Sequence, residues 1–72
     1  MVNVNKLKGK IVECGMSTSE LALKMGIDRA TLYRRLNSDG KDFTIGEADL
    51  IVKELALSCS EANAIFFSQF VA

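Results

Sequence analysis

An all-α fold of five short helices is predicted by three observations on this 72-residue chain. A hydroxyl residue is followed three positions later by glutamate at Ser17 and Glu20, at Thr44 and Glu47, and at Ser58 and Glu61. In such a capping box the hydroxyl oxygen accepts from the third helical N–H while the carboxylate accepts from the cap's own N–H, so the open donors of a helix start are satisfied. Apolar residues recur at three- and four-residue spacing behind each box, and the chain has no proline to interrupt them.

The first helix is expected from about Asn5 to Cys14, with Leu7 and Ile11 four apart on one face, Val4 and Cys14 extending that stripe, and Gly15 stopping it. The second follows Ser17, buries Leu21, Ala22 and Met25, and ends at Gly26, a residue able to take the left-handed conformation of a tight turn. Ile27 plugs the turn, and Asp28 is placed to cap the third helix. That helix turns Leu32 and Leu36 inward and spreads Arg29, Ala30, Thr31, Tyr33, Arg34 and Arg35 over its other faces. Asn37 to Asp42 is loop chemistry with an Asp39-Gly40 turn, after which Phe43 packs back as a staple. The fourth helix, from about Ile45 to Leu55, carries Ala48, Ile51, Val52 and Leu55, and the fifth, from about Cys59, carries Ala62, Ile65, Phe66 and Phe70. Gly9 and Gly46, each worth up to about 1 kcal/mol against alanine inside a helix, imply close backbone packing. No repeat or linker divides the chain, so residues 1–72 read as a single domain.

Composition narrows the function. Apolar residues make up 49% and charged residues 25%, a folded and not a disordered balance. Cys14 and Cys59 lie far apart with no histidine, so neither a disulfide framework nor a zinc site is expected, and a reducing cytoplasm fits. Met1 to Lys10 lacks the apolar core of a secretory signal and no run reaches membrane-spanning length, so no membrane association is expected. With no histidine, no base beside either cysteine and three glutamates accounted for as caps, the nucleophile, base and metal sets of hydrolytic chemistry are missing. The expectation is a non-enzyme with no catalytic residue, metal, cofactor or small-molecule ligand.

Net charge is zero but unevenly spread. Residues 1–41 hold eight of the nine basic residues against four acids, and residues 42–72 hold Lys53 against five acids. Local field and not total charge attracts a polyanion, so the first half is suited to face phosphate.

Between Ser17 and Asn37 the chain reads STSELALKMGIDRATLYRRLN, a cap, a helix with a central alanine, a glycine turn, a cap and a second helix with a buried leucine. This is the pattern of a helix-turn-helix over residues 18–37: Ala22 is small where the second helix crosses, Gly26 takes the turn and Leu32 locks the crossing. The chain resembles Cro/CI-type phage repressors of the Xre-like helix-turn-helix family over nearly its whole length. Besides the motif, LKGKIVECGMS at Leu7 to Ser17, TIGEADLIVKELALS at Thr44 to Ser58 and SEANAIFF at Ser60 to Phe67 carry the resemblance. It implies a five-helix bundle of the lambda-repressor-like type and double-stranded operator DNA as partner.

The resemblance also implies roles. Arg29, Ala30 and Thr31 at the start of the third helix, with Arg34 one turn on, match positions that face base edges in the major groove, where arginine suits guanine and a methyl group suits thymine. Thr18 and Ser19 match the position where relatives hold phosphate, although many relatives carry the longer glutamine at the Thr18 position. Arg35, Asn37 and Lys41 are further phosphate candidates, with pairing to a nearby acid as the alternative for Arg35. Tyr33 reads as half-buried packing, and Lys6, Lys8 and Lys10 read as a solubilising face.

Two functions compete at this level. One is a repressor of a phage genetic switch, working as a dimer with two recognition helices about 34 Å apart; the apolar C-terminal run with Phe66, Phe67, Phe70 and Val71 either joins that homodimer or is absorbed by the small core. The other is an antirepressor that keeps the fold but binds another phage repressor, with Glu47, Asp49 and Glu54 masking a basic DNA-reading surface.

Overall fold

The computed structural model describes residues 2–38 and 40–67. Five helices and no strand are found among them: α1 (Val4–Glu13), α2 (Thr18–Met25), α3 (Arg29–Asn37), α4 (Ile45–Glu54) and α5 (Cys59–Phe66). The protein is an all-α, five-helix bundle. Its radius of gyration of 11.1 Å matches the roughly 11 Å of a compact chain of this length. Phe70 and Val71, and Asp39 in the α3–α4 loop, lie outside the described residues.

All three capping boxes are formed, with both reciprocal hydrogen bonds at Ser17, Thr44 and Ser58. Each helix then sends one side chain to the centre: Leu7, Leu21, Leu32, Ile51 and Ile65 are the largest fully buried side chains. Around them close Ile11, Ala22, Met25, Leu36, Leu55, Leu57 and Phe66. α2 packs against both α3 and α4, while α1 packs against α5. Phe43 does fold back, meeting Phe66 edge to face with ring centroids 6.3 Å apart.

Gly26 takes the left-handed conformation at φ +75°, and the N–H groups of Gly26 and Ile27 donate to the carbonyls of Leu23 and Ala22. This pair of bonds terminates α2 and turns the chain into α3 within three residues. α4 ends in the same way, with the N–H groups of Ala56 and Leu57 donating to Lys53 and Val52. Here the left-handed position, at φ 50°, is held by alanine.

Four expectations are corrected. α1 begins at Val4 because the Asn3 side chain caps it, accepting from the Lys6 N–H at 3.1 Å. Cys14 is exposed and does not extend the stripe, since α1 has already ended at Glu13. Asp28 holds the extended conformation of a cap, but its side chain makes no capping hydrogen bond. Gly9 and Gly46 meet no backbone, as a Cβ on Gly9 would touch nothing within 4 Å and one on Gly46 only the Thr44 hydroxyl at 3.9 Å. The glycine that close packing requires is Gly40, at φ +74°, where an added Cβ would collide with the Val2 side chain. The segment before α1 is thereby wedged beside the α3–α4 loop, and the Asn3 N–H donates to the Ile65 carbonyl at 2.7 Å.

Candidate nucleic-acid interface

With Leu32 and Leu36 anchored in the core, helical geometry turns Arg29, Ala30, Tyr33, Arg34 and Asn37 outward, and all five are exposed. Thr31 is half-buried on the flank, where its hydroxyl accepts from Arg34 Nη2 at 3.4 Å, one turn along the helix. The four residues expected to read bases thus lie on one nine-residue helix, three of them open to solvent. Tyr33 is 45% exposed, more open than a packing role calls for.

Thr18 and Ser19 form the first turn of α2, both half-buried, behind the Ser17 cap. The box satisfies the N–H groups of Ser17 and Glu20, which leaves the first-turn donors of Thr18 and Ser19 without the intrahelical partners that later residues have. Among the described residues no hydrogen bond joins Thr18 or Ser19 to α3; the two helices meet through their apolar faces. Asn37 and Lys41 are exposed at the far end of α3 and in the loop beyond.

Arg35 behaves differently from its neighbour. Its Nε and Nη2 donate to Glu47 Oε1 and Oε2 at 3.1 and 3.2 Å, a two-point ion pair joining α3 to the first turn of α4. The same Glu47 closes the α4 capping box by accepting from the Thr44 N–H at 3.0 Å. The Arg35 guanidinium holds the Glu47 carboxyl below its ordinary range, and Glu47 in turn raises Arg35. The pairing alternative is the one the geometry records for Arg35, and Glu47 is only 14% exposed. Neither residue is therefore an open contact: the fork of Arg35 is already engaged, and Glu47 sits beneath it.

Two more pairs tie the surface. Lys10 bridges Glu61 and Glu13, linking α1 to α5. Beside the Lys10 ammonium the Glu61 carboxyl is lowered to about 2. Asp49 pairs with Lys53 at 3.0 Å along α4. Glu54 is half-buried, and Phe67 is 52% exposed next to Ile45, which is 90% exposed.

Pairing leaves the charge asymmetry in place. Lys6, Lys8, Lys24, Arg29, Arg34 and Lys41 make no ion pair among the described residues, and all six belong to the first 41. The one cation of residues 42–72, Lys53, is by contrast paired with Asp49. Among the described residues no group of three His, Cys, Asp or Glu side chains is placed to hold a metal ion, and no helix is long and apolar enough to cross a membrane. Comparison with known protein families, with characterised proteins and with solved structures finds no match to this chain.

Proposed function

We propose that this protein is a sequence-specific DNA-binding regulator of transcription that reads operator DNA in the major groove with α3. The observation that carries the reading is the division of labour on α3: Leu32 and Leu36 lock it into the bundle while Arg29, Ala30 and Arg34 stand exposed on its outer side. A helix held by its inner face and presenting arginines outward is suited to the roughly 12 Å major groove, where a guanidinium bonds guanine O6 and N7 together. The first turn of α2 offers hydroxyls and N–H groups to a flanking phosphate. The turn chemistry from Ser17 to Asn37 and the resemblance to Cro/CI-type repressors support a helix-turn-helix regulator of a phage switch, acting in the host cytoplasm by occupying its operator.

A second reading rests on Ile45 and Phe67. Both stand exposed at the rim of an apolar cavity of about 130 Å³ lined by Phe43, Ala48 and Phe66. An apolar patch of this kind suits contact with protein, either a second copy in a homodimer or a phage repressor that the chain modulates as an antirepressor.

The two readings separate in one experiment: binding of the purified protein to its own upstream intergenic DNA, across a salt series and with nonspecific competitor. The regulator reading predicts competitor-resistant binding that weakens steeply with salt. Weak binding indifferent to sequence would contradict it and favour the modulator.

A further inference from the structure

We infer that the groove between the start of α1 and the end of α3 holds a phosphodiester of the DNA backbone, with Lys8, Asn5 and Asn37 as its donors. The inference rests on the DNA-reading role of α3 proposed above and extends the contact surface onto a helix with no part in reading bases. The groove encloses about 400 Å³ with Leu36 as part of its lining, and Asn3, Asn5, Lys8 and Asn37 supply its polar side chains. Asn5, Lys8 and Asn37 are exposed, and none of the described residues lining the groove is acidic. Lys8 is exposed and makes no ion pair among the described residues.

Position favours a polymer phosphate. Asn37 lies one turn beyond Arg34 on the exposed side of α3, so the groove continues the reading face toward the edge of the major groove, where the sugar-phosphate backbone runs. Part of the negative end of α3 is satisfied within the protein: the Arg34 carbonyl accepts from the Ser38 N–H, and the Arg35 carbonyl accepts from the Ser38 hydroxyl at 2.9 Å and from the Gly40 N–H. The two asparagine amides add neutral donors that fix the phosphate without a second charge.

Lys6 supplies the control. It is two residues from Lys8 on α1, carries the same charge and is also exposed, but it lines the opposite groove against α5. The experiment measures duplex affinity against salt for the wild type, Lys8→Gln, Lys6→Gln and Asn5→Asp. Loss of one phosphate contact flattens the slope of log K against log salt by about 0.9. Lys8→Gln is expected to lose that increment and to weaken operator and random duplexes by the same factor, while Lys6→Gln keeps the wild-type slope. Asn5→Asp puts a carboxylate in the groove and in the first turn of α1, where it favours the helix; affinity is expected to fall while the melting temperature holds or rises. Equal slopes for Lys8→Gln and Lys6→Gln, or an Asn5→Asp variant that binds like the wild type, would overturn the groove assignment. Failure of the α3 reading looks different: operator and random duplexes would bind alike in the wild type and Arg34→Ala would change nothing, whatever the slopes do.

Discussion

α3 and α4 begin in opposite ways. At Thr44 the side chain accepts from Glu47 N–H, Glu47 accepts from Thr44 N–H, and the same carboxylate takes the Arg35 guanidinium, so the cap hydroxyl, the cap N–H and the carboxylate at the start of α4 all have partners within the protein. At Asp28 the backbone takes the cap conformation but the side chain makes no capping bond, the first turn of α3 has no acid, and Arg29 stands there instead. α1, α2 and α5 all have side-chain caps as well. Among the described residues the start of α3 is thus the one helix start without a side-chain cap, and it is also the place where base-reading residues are proposed. The contrast teaches that α4 starts on a closed cap as well as a core face, whereas the start of α3 rests on packing without a cap, and Arg29 and Arg34, unlike Arg35, make no ion pair among the described residues.

If packing holds α3, Leu32→Ala should be the most damaging change. Leu32 is fully buried at the centre of the bundle, and truncating such a leucine destabilises by about 2–5 kcal/mol. Total stabilities run to only about 5–15 kcal/mol, and a chain this short sits at the low end. Chemical denaturation followed by circular dichroism should show a midpoint collapse, and a loss under about 1 kcal/mol would mean that something other than packing secures α3.

Arg34 and Arg35 sharpen the comparison in the other direction. Arg34→Ala should leave the melting temperature nearly unchanged and reduce discrimination between operator and random DNA by about 1–3 kcal/mol in a competition assay. Arg35→Ala should reverse the pattern, lowering the melting temperature because Glu47 loses its two-point partner. Equal effects of the two on DNA recognition would erase the distinction drawn between them.

The caps themselves should differ. Thr44→Ala removes a complete box and should lower stability by about 1 kcal/mol. Asp28→Ala removes a side chain with no capping bond and should change it by about 0.5 kcal/mol or less. Paired urea melts decide this, and an Asp28→Ala loss as large as that of Thr44→Ala would break the contrast.

The smallest effect is at acid pH. Glu61 titrates at about 2 in the folded protein because Lys10 and the Ser58 cap hold its charged form, against about 4.3 unfolded. A depressed folded value adds stability that is complete above the unfolded value and is lost as pH falls from about 4.3 toward about 2. Glu47 shifts in the same direction. Glu61→Gln keeps a box-forming side chain but not the ion pair, so its melting temperature should fall less steeply across that window than that of the wild type.

What the sequence makes legible is local. Capping boxes, the i, i+4 apolar pairs and the Gly26 turn each depend on residues within one or two turns, and these place the first four helices, and the start of the fifth, to within a residue or so of their observed bounds. The Asn3 cap escapes because it lacks the reciprocal glutamate: Lys6 stands at that position. The Arg35–Glu47 and Lys10–Glu61 pairs span 12 and 51 residues, and only the folded bundle decides which acids face which bases. Gly40 is required by Val2, almost forty residues earlier, a contact no local pattern encodes. The outer face of α3 is legible from periodicity once Leu32 and Leu36 are fixed inward, but which of its cations stay open depends on where α4 presents Glu47.

The central claim, that the open face of α3 reads base sequence, is tested most directly by selecting duplexes from a random pool with the purified wild-type protein and with Arg34→Ala. The account predicts that the wild type enriches a defined motif with guanine at a fixed position and that Arg34→Ala loses the preference for that guanine. Enrichment of no motif, or of the same motif by both proteins, would contradict it.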